Sequence, residues 1–400
     1  MIMENTSVMN NNTLSLAEDL KEELVKHRRH LHQNPEIGFE LPNTVAYVEE
    51  TLKSMGLEPK KVGKAGLVVT LGNGKGKTIL LRGDMDALPM AENTDLPFKS
   101  TNGYAHTCGH DIHTTFMLGA AKLLKAKESE IKGTVKIMFQ PAEEIGAGAK
   151  DMVAHGLMEN PKVDAALALH VSPDLEVGKF GYKPGIAASS LDGFFLKVQG
   201  KGGHSSEPHK AIDPLMIVNA VYNQINTLVA KEIDPQERAV LVVGRMGGGT
   251  VANIIPDTAH LDAILRSFKP EVREHLFKRV QEIIDATVKM MRGTYELETI
   301  STPSLYNNEE LCEQMAPYVK EVVGENNLHI DKEPLSGTED FSYISQLVPT
   351  MFMWAGANGL GENNYPLHNP NIVLDEGVIP YGVAVVVHSA ISWLNDHSSN

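Results

Sequence analysis

The feature that most constrains this chain is an alternation of short apolar runs with helical patterns, broken once by a block of different texture. Runs at 65–71, 78–82, 133–139 and 165–170 are mostly apolar and bounded by turn residues, which reads as strands covered on both faces. Helical spacing occupies 43–55, 111–126 and 146–155. An earlier helix fits 15–32, where Leu20, Leu24, His27 and Leu31 share one face and Ser15 stands at the cap position. Runs 65–71 and 78–82 flank the turn Gly72-Asn73-Gly74-Lys75-Gly76, so they are expected to pair with each other.

From about Gly185 the order becomes strand (191–199), helix (213–228), strands (238–246 and 258–266), helix (270–290) and strand (294–302). That is the β-α-β-β-α-β unit of the ferredoxin-like fold. The α/β pattern then resumes with a helix at 309–323, an apolar run at 349–354 and a last helix at 376–394. The expected architecture is an α/β domain with a mostly parallel sheet, built from 14–186 and 303–400, interrupted by an inserted ferredoxin-like α+β domain at 187–302.

Composition narrows the function. The sequence is 42% hydrophobic and 22% charged, which suits a globular chain with a large core and no need of cross-links. Its two cysteines, Cys108 and Cys312, do not make a disulfide framework. A net charge of −15 is the opposite of a nucleic-acid footprint. The opening MIMENTSVMNNN has no basic region leading into an apolar one, and no uninterrupted apolar run reaches spanning length. A cytoplasmic protein that does not enter a membrane is expected, with a frayed terminus over 1 to about 13.

The chemistry-bearing residues fall in five short motifs. Arg82-Gly83-Asp84-Met85-Asp86-Ala87-Leu88-Pro89 puts acids at the end of an apolar strand, where open α/β sheets place their sites. His106-Thr107-Cys108-Gly109-His110-Asp111-Ile112-His113 precedes a helix, and Gln140-Pro141-Ala142-Glu143-Glu144 follows a strand. His170 ends the apolar stretch Leu167-Ala168-Leu169, and Tyr365-Pro366-Leu367-His368-Asn369-Pro370 lies in a polar loop before the last helix. Cys108, His110, Glu144, His170 and His368 offer a thiolate, three imidazoles and a carboxylate, a donor set suited to two divalent ions with one bridging ligand. Glu143 is then left as a general base, and Asp86 can accept a hydrogen bond from a ligand imidazole and fix its tautomer.

Taken singly, each motif has an ordinary structural reading. A strand-end histidine is usually satisfied by hydrogen bonds, a lone cysteine is an inert buried thiol, and an Asp pair after a strand caps a turn. His106 and His113 are read as structural. The set is what favours a metal site, because all five motifs sit at strand exits or turns of one α/β pattern. Two rival readings remain: a thiol hydrolase with Cys108 as nucleophile and His110 as base, and a non-catalytic receptor using the same cleft.

Together D-M-D-A-L-P, H-T-C-G-H-D, Q-P-A-E-E, L-H and L-H-N-P closely resemble the amidohydrolase branch of the co-catalytic metallopeptidases. That family includes aminoacylases, hippurate hydrolases, N-acetyl-diaminopimelate deacetylases and auxin-conjugate hydrolases. The resemblance runs from about His27 to about Asp375. It implies that Cys108, His110, Glu144, His170 and His368 bind two divalent metals, manganese or zinc, with cobalt and nickel also used in the family. It implies that Glu143 is the base and that Asp86 is the supporting acid. Sibling peptidase branches have His where this sequence has Asp84 and a bridging Asp where it has Cys108, so the chain sits with the amidohydrolases. In the inserted domain, Gly202-Gly203-His204-Ser205-Ser206 fits the family's lid loop, whose histidine helps bind the substrate carbonyl across a dimer interface. Asn253, within 251–256, and Arg266 resemble the elements that hold the substrate carboxylate. Gly337, within Ser336-Gly337-Thr338-Glu339-Asp340-Phe341, resembles part of the loop beside the metals, with a secondary role for Glu339. The implied whole is a catalytic metal-binding domain with a lid and dimerisation domain. Its substrate is a small N-acyl amino acid, its assembly is a homodimer or homotetramer through the lid, and a dipeptidase or aminopeptidase is the alternative.

Overall fold

A computed structural model of the chain describes residues 13–358 and 365–398. The terminus expected to fray lies, up to residue 12, outside the described residues. Contacts divide the chain into two compact units. The first holds residues up to Ala187, Tyr306–Pro334 and Asp340 onward; the second holds Ala188–Leu305 with Leu335–Glu339.

The first unit is built on an eight-stranded sheet. Its strands are β1 (Lys60–Val62), β2 (Gly66–Gly72), β3 (Thr78–Asp84), β4 (Thr134–Gln140), β5 (Ala165–Ser172) and β6 (Phe180–Tyr182). Two more, here β13 (Leu328–Ile330) and β14 (Thr350–Gly356), come from the C-terminal part. The spatial order is β1-β2-β4-β3-β5-β14-β6-β13. The central run β4-β3-β5-β14 is parallel. Every residue of β3, β4 and β5 is buried, as strands covered on both faces require.

The expected pairing of 65–71 with 78–82 is not found. β4 lies between them, antiparallel to β2 and parallel to β3. The glycine turn permits a hairpin, but β3 is apolar on both faces and takes a central position that a two-stranded ribbon cannot provide.

Helices α1 (Lys21–Gln33), α2 (Pro42–Ser54), α3 (His110–Ala126), α4 (Gly148–Ala154), α7 (Glu309–Val323), α8 (Ser342–Ser345) and α9 (Val378–Asp396) complete this unit. The helix expected from Ser15 is instead two pieces: 13–19 is helical, Leu20 is a turn, and α1 follows. Ser15 therefore lies within a helical turn and does not cap α1, whose N-cap position is Leu20 with no side-chain cap. By length and composition α9 can cross a bilayer. It is instead a core helix, mostly buried and packed on α3 and α7, which accounts for its apolar sequence without a membrane.

The second unit has one sheet built from β7 (Leu191–Gln199), β9 (Ala239–Gly248), β11 (Thr258–Ser267) and β12 (Thr294–Thr302), with two helices, α5 (Pro214–Glu232) and α6 (Pro270–Met290). Its order is β9-β11-β7-β12, antiparallel throughout, the ferredoxin-like arrangement. Asp213 caps α5 by accepting the Leu215 N–H, and Pro214 opens the helix. On α6, Leu276, Val280 and Ile284 form the apolar stripe that meets Phe194, Leu196 and Leu265 of the sheet. Gly247 and Gly248 are the last residues of β9. A short pair, β8 (Gly203–His204) with β10 (Ile254–Ile255), stands beside this sheet.

Candidate metal centre

Because β3, β4, β5 and β14 run parallel, their C-terminal ends share one edge of the sheet. Asp84 ends β3, Gln140 ends β4 just before Glu143 and Glu144, and His170 sits near the end of β5. His110 is the first residue of α3, and Cys108 lies just before it, across Gly109 at φ +88°. A Cβ at Gly109 would stand 2.3 Å from Val171 Cγ2, so the turn that presents Cys108 and His110 is pressed against the end of β5. His368 holds φ +65° and donates its backbone N–H to Thr107 O at 3.0 Å. That left-handed conformation is unfavourable for a residue with a Cβ and sets the imidazole next to Cys108.

The five sequence-predicted donors come together. His170 Nε2 lies 3.5 Å and His368 Nε2 3.3 Å from Cys108 Sγ. His368 Nε2 is 3.5 Å from Glu144 Oε2, and His110 Nε2 is 3.8 Å from Glu144 Oε1. Two triads result, Cys108–His110–His170 and Cys108–Glu144–His368, each with donor atoms within 4.8 Å of one another. They share Cys108, which is the requirement for a bridging ligand between two ions.

Tautomers can be read from the hydrogen bonds. His170 Nδ1 meets its neighbour's carbonyl, Val171 O, at 2.8 Å, so Nδ1 carries the proton and the Nε2 lone pair points to Cys108. His113 Nε2 accepts the Val171 N–H at 2.9 Å, so its proton is on Nδ1, which donates to Asp84 Oδ1 at 2.7 Å. Asp84 Oδ2 in turn meets Arg82 Nη1 at 2.7 Å and lies 3.4 Å from His110 Nε2. Arg82 Nε donates to Gln140 Oε1 at 2.9 Å, and Gln140 Nε2 donates to Asp340 Oδ1 at 2.6 Å. All are buried. Sequence reasoning missed this layer, in which Asp84 and His113 sit directly behind the donors. The signal was present: arginine and aspartate alternating inside an apolar strand demand buried partners.

Asp86 is not bonded to a ligand imidazole. Its nearest approach is 3.4 Å from Oδ1 to His110 Nδ1, and both His110 nitrogens lack a hydrogen bond. Asp86 instead accepts the backbone N–H groups of Glu143 at 3.0 Å and Glu144 at 3.2 Å, so it shapes the turn bearing both glutamates. Glu143 is absent from both Cys108 triads but joins His110 and Glu144 in a third grouping, with Oε2 4.0 Å from His110 Nε2. His106, expected to be structural, is buried with neither ring nitrogen bonded, and burial pushes its pKa down to about 3.

The electrostatics suit cations. Burial pushes Glu144 up to about 7, and burial with the Glu144 charge holds the Cys108 thiol well above its usual range. Burial is the largest influence and opposes a charged His110, yet its acidic neighbours, Asp84 first, together outweigh it and hold His110 well above its ordinary value. Four carboxylates (Asp84, Asp86, Glu143 and Glu144) therefore face one small region that favours positive charge. The one lone pair of a neutral His110 and those of Glu144 Oε1, both without a hydrogen bond among the described residues, are the ones that a metal would take. The donor set, with the His170 tautomer that leaves Nε2 unprotonated, fits divalent ions of zinc or manganese type.

The pattern that defines Peptidase family M20/M25/M40 matches residues 80–392. The chain belongs to this family. An M20 chain of this kind is a metal-dependent hydrolase, and its relatives agree. It is 35% identical over 390 residues, 96% of this chain and 88% of the relative, to the IAA-amino acid hydrolase ILR1-like 4 of Arabidopsis thaliana. It is 34% identical over 369 residues, 90% and 85% of the two chains, to the N-acetyl-L-cysteine deacetylase of Bacillus subtilis. A Bacillus subtilis crystal structure described as a dinuclear metal-binding peptidase of family M20 superposes with a TM-score of 0.78 at 30% identity, covering 94% of this chain and 99% of that one.

The remaining predicted residues of the M20 chain belong to the second unit. His204 is exposed on β8, its Nδ1 2.7 Å from Ser206 Oγ, and Asn253 O accepts the Ser205 N–H at 3.1 Å. Arg266 Nη1 donates to Thr338 Oγ1 at 2.8 Å, and Gly337 O accepts the Ser189 N–H at 3.1 Å. His204 is thus brought together with Asn253, and Arg266 with the segment around Gly337. Glu339 is buried in the same unit.

Proposed function

We propose that the protein removes an N-acyl group from an amino acid or small amino-acid conjugate. The observation that carries this reading is the pair of donor triads meeting at Cys108, with Glu143 beside them and in neither. Cys108, His110, Glu144, His170 and His368 would hold two divalent cations, manganese or zinc first, with cobalt or nickel as further candidates. The chemistry such ions supply is Lewis-acid polarisation of a carbonyl and acidification of water. Glu143 takes the proton of the attacking water on its carboxylate and returns it to the leaving nitrogen. Asp86 positions Glu143 through the backbone bond already described. In the second unit, His204 offers an imidazole to the developing oxyanion. Arg266 pairs with no carboxylate among the described residues, and its fork suits a substrate carboxylate. Asn253 and Gly337 line the same function.

The exposed apolar side chains of edge strand β9, Val240, Val242 and Met246, support assembly as a homodimer or homotetramer through this unit, a lid. The acidic charge and the two free cysteines support a cytoplasmic location. A peptidase of the same family is the second reading, favoured by the Bacillus subtilis dinuclear peptidase neighbour. A Cys108 nucleophile is disfavoured, because burial holds its thiol well above the range of a reactive cysteine.

The test is turnover of N-acetyl and N-benzoyl amino acids and of dipeptides by chelator-stripped protein re-supplied with Mn²⁺ or Zn²⁺. Metal-dependent release of amino acid from the acylated series, lowered about 10²–10⁴-fold in Glu143→Gln, is expected. Cleavage confined to dipeptides would overturn the acyl reading, and activity that survives stripping would overturn the metal mechanism.

A further inference from the structure

We infer that His113 is a positioning residue for the metal donor His170, filling a gap in the sheet between the ends of β3 and β5; this rests on the metal-centre reading and adds that the two ions depend unequally on one side chain. On one side of β5, pairing with β14 continues to Ser172. On the other, pairing with β3 stops at Arg82 and Ala168, although β3 itself runs on to Asp84. The ends of the two strands therefore part at the edge that carries the donors, where open α/β sheets bind their ligands. A parted pair leaves backbone groups without a ladder partner, and a buried N–H is costly to leave unpaired. The side chains of Asp84 and His113 supply the missing rung. His113 Nδ1 donates to Asp84 Oδ1 at 2.7 Å, and His113 Nε2 accepts the N–H of the buried Val171 at 2.9 Å. The carbonyl of the same residue, Val171, accepts the His170 Nδ1 proton at 2.8 Å, so His113 holds the residue that holds the His170 ring. The two rings also meet, 4.3 Å between centroids at 62°. His113 is itself fixed. It is fully buried, its neighbour Thr114 donates from Oγ1 to Asp84 O at 2.7 Å, and a Cβ on Gly83 would stand 2.7 Å from His113 O, so α3 lies directly on the end of β3. His170 belongs to the Cys108–His110–His170 triad and not to Cys108–Glu144–His368. Removing the rung should therefore weaken one ion and spare the other.

The test compares His113→Gln with His113→Asn in the full chain, stripped by chelator and titrated with Zn²⁺ against a competing chelator. Both variants carry a neutral amide. Only glutamine extends an acceptor as far as Nε2 and can still take the Val171 N–H; asparagine reaches no further than Nδ1. His113→Asn is expected to lose about 10- to 100-fold in affinity for one ion, the usual span when a partner behind a metal ligand is removed, with the other ion unchanged. His113→Gln should recover most of that loss. A merely structural role would instead weaken both ions or neither, whatever the two variants lose in urea unfolding. In the stripped parent, ¹⁵N NMR of labelled histidine, with His113→Gln assigning the signal, should show His113 protonated on Nδ1. A proton on Nε2 would overturn the inference even where His113→Asn does not fold. Equal affinities in the two variants, or a loss shared by both ions, would overturn it and leave the metal centre standing. A parent chain that takes up no Zn²⁺ would overturn it together with the metal-centre reading.

Discussion

Gly109→Ala is a substitution whose cost can be divided into parts. Gly109 sits at φ +88°, and a Cβ there would lie 2.3 Å from Val171 Cγ2 and 2.9 Å from Leu374 Cδ1. Gly156, in the same unit, holds φ +87° with nothing within 4 Å of a Cβ. The left-handed conformation costs a residue with a Cβ about 1–2 kcal/mol, and alanine recovers about 0.4–1 kcal/mol by restricting the unfolded chain. Gly156→Ala should therefore lose about 1 kcal/mol. Gly109→Ala bears the same backbone cost plus about 1–3 kcal/mol of overpacking against Val171 and Leu374, about 2–4 kcal/mol together. Both tryptophans, Trp354 and Trp393, lie in the first unit, so urea unfolding followed by tryptophan fluorescence reports that unit alone. The metal-stripped protein should be used, because a bound ligand would stabilise by mass action. Gly109→Ala should also lower metal uptake, since the turn it distorts presents Cys108 and His110, whereas Gly156→Ala should leave uptake intact. Equal losses of stability in the two variants would refute the steric argument.

Three further outcomes are expected. Cys108→Ala removes the donor common to both triads, so bound metal per chain should fall below the parent's by elemental analysis, and retention of full stoichiometry would rule out the shared ligand. Lys136 is buried on β4 and donates to Leu157 O, Glu159 O and Pro161 O at 2.8, 2.7 and 2.9 Å. Lys136→Met leaves three carbonyls without a donor and should cost about 2–4 kcal/mol in urea unfolding, a loss below 1 kcal/mol arguing that water replaces the ammonium. His32 stands between Asp111, 2.8 Å from Nδ1, and Glu92, 3.1 Å from Nε2, with Arg28 beside it. Burial and Arg28 oppose its charge, but the two carboxylates outweigh them and raise its pKa. A raised histidine contributes stability that is complete below its unfolded value, near 6.5, and is lost as pH rises through the folded one. Thermal unfolding of stripped protein should therefore decline on the alkaline side in a way that His32→Gln abolishes, and an unchanged pH profile in that variant would count against a charged His32.

Much of this molecule was legible in its sequence, because the information there is local. Continuous apolar runs marked β3, β4 and β5 as central strands, the β-α-β-β-α-β order marked the second unit, and donor residue types at strand exits marked Cys108, His110, Glu144, His170 and His368. Only the tertiary structure decided how these pieces meet. The insertion of β4 between β2 and β3 is a non-local pairing that no turn propensity encodes. The segment 335–339 belongs with the second unit although it follows the point where the α/β pattern resumes, because contacts and not chain order define a compact unit. His113 looked merely structural until the Val171 N–H, 58 residues along the chain, fixed its proton on Nδ1 and turned it towards Asp84. Residue type sets what a side chain can donate or accept; which lone pair is left for a metal depends on the partner that folding delivers to the other side of the ring.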